Sequence, residues 1–100
     1  MKFNLIVKAE AIKDMAEAYT WYESKRPGLG SEFLDEVDKY FEMITQNPKH
    51  YQSFRNLKVA IMNRFPYKIV YDIEREEMIV VYAVYHDKRN PEKLIERDQP

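Results

Sequence analysis

The sequence predicts an α+β fold: an N-terminal strand, then an antiparallel helical hairpin packed on one face of a small, twisted, mainly antiparallel sheet, in the order β-α-α-β-β-β. Two successive stretches between Ala9 and Gln46 place apolar residues at steps of three and four, the spacing of one helical face. On either side of them, apolar residues alternate with polar ones or run together, which is the pattern of strands. The later strands are joined by tight turns, and strands so joined run antiparallel.

Phe3, Leu5 and Val7 alternate with Asn4, Ile6 and Lys8, giving a short first strand suited to a sheet edge, with Ile6 the break in the alternation. From Ala9 to Lys25 the stripe Ile12, Met15, Tyr19 and Tyr22, widened by Ala16, Ala18 and Trp21, is expected in the core. Pro27 and Gly28 end this helix, because proline cannot continue the hydrogen-bond ladder and glycine takes the backbone angles of a turn. A second helix from about Leu29 to Gln46 turns Phe33, Val37, Phe41 and Ile44 inward, helped by Leu34 and Tyr40. Its outward face carries Glu32, Asp35, Glu36, Asp38 and Glu42. So short a turn makes the two helices antiparallel.

Asn47-Pro48 stops the second helix, since the residue before proline is pushed out of the helical region. Tyr51 to Phe54 reads either as a short strand or as loop. Leu57, Val59 and Ile61 then alternate with Lys58, Ala60 and Met62, and Tyr67, Ile69, Tyr71 and Ile73 with Lys68, Val70 and Asp72. Nearly every residue from Met78 to Tyr85 is apolar or aromatic, so the last two runs form a hairpin whose second strand is central. Glu74, Arg75, Glu76 and Glu77 are its solvated loop, because charges are costly to bury. After Pro91, EKLIERDQP has helical propensity for one or two turns. The helical hairpin covers one sheet face and leaves the other free to work.

The 100 residues fit one domain, 1–100, around a single core. With no cysteine, disulfides, thiol nucleophiles and thiolate ligands are excluded, which fits a reducing cytoplasm. The N-terminal apolar run is too short for a signal peptide, and the longest run, Met78 to Tyr85, falls far below the ~20 residues of a membrane helix. A soluble, cytoplasmic protein with no membrane partner, metal or cofactor is expected. Net charge is −1, unevenly spread: four basic against nine acidic residues from Ala9 to Gln46, eight against five from Asn47 to Asn90. An acidic helical part therefore faces a mildly basic sheet part.

Four pieces in this order resemble the RelE/ParE superfamily of small bacterial toxins from type II toxin–antitoxin (plasmid stabilisation) modules. They are the helix Ala9 to Tyr22 ending in Trp-Tyr-Glu, the turn and helix start Pro27-Gly28-Leu29-Gly30-Ser31-Glu32-Phe33, the strand Arg64 to Tyr71, and the strand Val80 to Tyr85 followed by His86-Asp87-Lys88-Arg89-Asn90-Pro91. The resemblance covers essentially the whole chain. It implies a growth-inhibiting toxin held inactive by a cognate antitoxin, as a homodimer or a toxin–antitoxin hetero-oligomer. One branch of that superfamily cleaves messenger RNA in the ribosomal A site and another poisons DNA gyrase.

Metal-independent RNA cleavage needs a base for the 2′-hydroxyl, cations for the phosphorane charge and an acid for the leaving oxygen. The candidates are Lys68, Arg64 and Arg89 as cations and His86 as acid or base. The resemblance also marks departures. Lys68 stands where the ribonuclease branch has arginine, losing the two-pronged grip on phosphate. Val59 and Ile61 stand where some members have lysines, and Asp87 where some have tyrosine. Lys58 is one residue out of step and so points to the opposite face. Each candidate also has a plainer reading: His86 as a strand-end residue holding the C-terminal turn, Lys68 as a solvated side chain. Lys58, Lys68, Tyr71, His86, Lys88 and Arg89 are candidate contacts to target or antitoxin, with the antitoxin expected on the open sheet face or its edge. The incomplete catalytic set and a pI near 6.1 favour gyrase poisoning. The alternatives are a ribosome-dependent mRNA endoribonuclease and a degenerate toxin that only binds antitoxin.

Overall fold

The computed structural model describes residues 3–75 and 77–88. Glu76 of the hairpin loop, Arg89 and the tail with its expected helical turns lie outside the described residues. The elements are β1 (Asn4–Val7), α1 (Ala9–Lys25), α2 (Leu29–Gln46), β2 (Gln52–Phe54), β3 (Leu57–Ile61), β4 (Tyr67–Arg75) and β5 (Met78–His86). The strands form one sheet in the order β1-β5-β4-β3-β2. β1 pairs parallel with β5, and all other pairs are antiparallel. The segment left open between strand and loop forms β2, an exposed edge strand. The hairpin loop is tighter than expected: β4 runs on through Glu74 and Arg75, which stay exposed at the end of the strand, and Glu77 takes positive φ in the turn.

The helices pack on one sheet face. Phe33, Val37, Tyr40 and Ile44 of α2 are buried with Ala60, Met62, Ile69, Tyr71, Ile79, Val81 and Val84 of the sheet. α1 sits differently from the expected stripe. Its buried residues are Ala11, Asp14 and Ala18, with Met15 and Tyr22 packed alongside, whereas Ile12 and Trp21 are 55% and 57% exposed. Two alanines let the helix lie close to β5. Trp21, which the spacing assigns to the core, instead lies under the Lys25 ammonium at 4.0 Å.

The rotation of α1 has a specific cause. β1 pairs with β5 only as far as Val81, and the chain leaves the sheet at Lys8 to start α1. Among the described residues no strand pairs with β5 beyond that point on this side, and the Asp14 carboxylate accepts the Val84 N–H there at 3.1 Å. Asp14, only 7% exposed, thus takes over from a strand partner.

A bulge in β5 fixes which residues share a face. Val70 is opposite Ala83 but Tyr71 is opposite Val81, so Tyr82 is an extra residue. Val81 and Val84 both face the helices as a result, although simple alternation puts them on opposite sides. The turn between the helices is similarly constrained. Gly28 adopts φ 89°, Glu23 accepts the N–H groups of Gly28 and Gly30, and a Cβ at Gly30 meets the Tyr19 carbonyl oxygen at 2.7 Å.

Replacing Asp14 by alanine leaves the Val84 N–H buried without this acceptor and should destabilise the protein by about 1–3 kcal/mol. Asp14→Asn keeps an acceptor oxygen and should cost less. Urea unfolding of the two variants checks the order.

Candidate functional site

The candidate side chains converge on the mouth of the β4–β5 hairpin, where the Asp87 N–H donates to the Pro66 carbonyl at 2.7 Å and closes the end of the pair. Strand parity then sorts them. Lys68 lies opposite Tyr85 and Tyr67 opposite His86, so Lys68, Tyr85 and Asp87 belong to the face away from the helices, and Tyr67 and His86 to the helix side. His86 stacks edge-on against Tyr67 at 5.3 Å between ring centroids, and Tyr67 joins Phe33, Tyr22 and Phe65 in one aromatic cluster. A recess of about 170 Å³ opens beside it, lined by Asp14, Glu17, Ala18, Tyr67, Val84 and His86. The His86 Nδ1 accepts the Lys88 N–H at 3.1 Å, which in the neutral ring puts the proton on Nε2.

On the other face the Lys68 ammonium is 2.9 Å from the Asp87 carboxylate. This hydrogen-bonded pairing holds the Lys68 ammonium above the usual lysine range and the Asp87 carboxyl below the usual carboxylate range. Burial raises the neighbouring Tyr85 phenol, with Lys68 opposing that shift. Lys68 and Tyr85 also border a recess of about 260 Å³ with Gln52, Ser53, Phe54 and Val59. Ile61, opposite Lys68, stays 48% exposed, but the middle of the face is not the open working surface expected. Leu57, Val59, Val70, Val80, Tyr82 and Tyr85 form a second apolar cluster, none more than 8% exposed.

The remaining candidates are dispersed. Arg64 pairs with Glu32 at the start of α2, beside Arg26, and lies over the Phe65 ring. Arg26 and Arg64 together hold the Glu32 carboxyl below its ordinary value, chiefly through the Arg64 hydrogen bond. Lys58 lies opposite Tyr71 on the helix side, as its offset predicts, and its ammonium donates to the Tyr51 carbonyl at 3.1 Å. Tyr71, a candidate surface contact, is fully buried, its hydroxyl donates to the Pro48 carbonyl, and burial drives its pKa above the tyrosine range. Tyr71 thus ties β4, and Lys58 ties β3, to the segment between α2 and β2. Lys88 is exposed; Arg89 lies outside the described residues. The structure thus pairs Lys68 with Asp87 on one face, sets the His86 ring on the other, and pairs Arg64 with Glu32.

Sequence reasoning missed three features. Asp14 was legible as an acid set between Ala11 and Ala18. Asp87 as the counter-ion of Lys68 was legible only once the register was known. The third is an apolar groove of about 380 Å³ on the helical hairpin, lined by Ile12, Met15, Ala16, Tyr19, Thr20 and Leu34, which follows from the rotation of α1.

A family model described as the ParE toxin of the type II toxin–antitoxin system parDE matches residues 5–91. The chain belongs to the ParE toxin family. A chain of the chromosomal ParDE system of P. aeruginosa superposes with a TM-score of 0.75 at 11% identity, covering 85% of this chain and 96% of that one. A chain of the RelBE2 toxin–antitoxin complex of Mycobacterium tuberculosis gives 0.57 at 15% identity, covering 86% and 99%. No curated protein matches by sequence. These likenesses establish the RelE/ParE fold, and the family match establishes a type II toxin. Among the described residues no helix is long and apolar enough to cross a membrane, and no group of three or more His, Asp or Glu is placed to hold a metal ion.

The Lys68–Asp87 pair has a defined pH window. Because the folded Asp87 value is lowered, its contribution is full above the ordinary carboxylate range and is lost as pH falls through the lowered value. Because the folded Lys68 value is raised, its contribution is full below the ordinary lysine range and is lost as pH rises through the raised one. The pair's contribution is therefore full between about pH 4 and pH 10, the ordinary values of the two groups, and fades outside that window. Replacing Lys68 by methionine should move the Asp87 carboxyl titration up towards the ordinary value, read by carbon-detected NMR; an unchanged titration would show that the pair does not set it.

Proposed function

We propose that this ParE-family toxin inhibits growth by binding and poisoning DNA gyrase, not by cleaving RNA. One observation supports the reading: among the described residues, the candidate cations are each taken up by a carboxylate and His86 lies on the opposite face from Lys68. Lys68 is neutralised by Asp87 on one face, His86 opens to the other, and Arg64 is committed to Glu32. Acid–base catalysis requires donor, acceptor and charge stabiliser within hydrogen-bond reach of one reacting centre. Val59 and Ile61, on the Lys68 face, add no positive charge to it.

In this reading the chain is a single cytoplasmic domain, and a cognate antitoxin holds it inactive. The P. aeruginosa and M. tuberculosis structures both come from toxin–antitoxin systems, which supports the antitoxin as partner.

Purified toxin mixed with gyrase, plasmid DNA and ATP should accumulate gyrase trapped on cleaved DNA, and programmed ribosomes mixed with the same toxin should keep their messenger RNA intact. Cleaved message without trapped gyrase would reverse the assignment. His86→Ala should leave trapping within about twofold, because no catalytic proton transfer is lost.

A further inference from the structure

We propose that Asp87 is a specificity-determining residue, a built-in anion that keeps phosphate-bearing ligands away from Lys68 and the recess beside it. The inference rests on the reading of a toxin that acts without RNA chemistry and names the residue that enforces it.

Strand parity places Lys68 on the face away from the helices, and it borders the recess containing Gln52, Ser53, Phe54, Val59 and Tyr85. A lysine beside an aromatic ring and an apolar floor is the composition that binds single-stranded nucleic acid, in which phosphates meet cations and bases meet rings. Asp87 cancels the first half of that chemistry. Its carboxylate is 2.9 Å from the Lys68 ammonium, and the pair is not a chance meeting of two long side chains. Asp87 is short, its own N–H is held by the Pro66 carbonyl, and Lys68 is fixed opposite Tyr85 in the β4–β5 ladder. Both backbones are thus set before the side chains pair, which reduces the entropy that weakens most surface ion pairs.

An incoming phosphate must share the Lys68 ammonium with Asp87 or displace it, and in either case lies beside the carboxylate. Its attraction to Lys68 is offset by repulsion from Asp87. A neutral or cationic group of a protein partner meets neither penalty. The same side chains can therefore accept protein while rejecting nucleic acid.

The test measures binding of a short fluorescein-labelled single-stranded RNA by anisotropy, in low and in physiological salt. Asp87→Asn, or Asp87→Ser should the first variant melt early by circular dichroism, is expected to bind about tenfold more tightly than the parent at low salt. Its log affinity against log salt should steepen by about 0.7, the increment for one further phosphate contact on a single strand. Asp38→Asn on the exposed face of α2 makes the same change in net charge and should produce no such gain. Adding Lys68→Met to Asp87→Asn should abolish it. Unchanged affinity in a folded Asp87→Asn protein, an equal gain from Asp38→Asn, or a gain that survives Lys68→Met would each overturn the proposal. Gyrase trapping by the parent protein is scored separately. Absent trapping with the predicted RNA pattern removes the gyrase reading and leaves the role of Asp87 standing; the converse result removes only the latter.

Discussion

The hydrogen bond from the Val84 N–H to the Asp14 carboxylate is the constraint on which the arrangement of the two layers depends. A central strand needs partners along both edges, and β1 supplies them for only part of β5. Closing the rest of that edge with a helix side chain requires an acid on the buried face of α1, and alanines on either side so that the helix can approach. That requirement sets the rotation of α1. The rotation buries Ala11 and Ala18, turns Ile12 and Trp21 to solvent, and opens the groove between the helices. It also brings Glu17 to the recess beside His86.

The bulge at Tyr82 is the second determinant, because it changes strand parity midway along β5. Before it, Val81 faces the helices; after it, Val84 and His86 do. The residues that seemed able to act together lie on opposite sides of one sheet because of this single extra residue and the alternation that follows it. An arrangement with His86 beside Lys68 would need another register, not a change of side chain.

Element order and the helix boundaries were legible in the sequence because they follow from local signals. Proline and glycine at 27 and 28 and Asn47-Pro48 mark the helix ends, and both helices run between the residues that spacing indicates. The inward face of α2 was equally plain, since Phe33, Val37 and Ile44 repeat at helical steps. The buried face of α1 is not legible from spacing, because its large apolar residues form a stripe of their own, whereas close approach to a strand favours the alanines and the aspartate. The site was the least legible part. Lys68 and His86 are visible in sequence, but the Asp87 partnership and the separation of the two faces depend on a cross-strand register and a bulge that no single strand encodes. Tyr71 shows the same limit: alternation assigns its face, but only the tertiary fold brings its hydroxyl to the Pro48 carbonyl.

The parallel pairing of β1 with β5 joins nearly the two ends of the described chain. Local contacts allow the helical hairpin to form early, but its buried face has no sheet to cover until β5 exists, and closing so long a loop carries an entropic cost that only the completed sheet offsets. During synthesis the chain therefore remains without its layered core until its last strand has left the ribosome. A message truncated before β5 yields a peptide that cannot assemble the sheet, so a cell making this protein meets the folded toxin only after translation has passed the end of that strand.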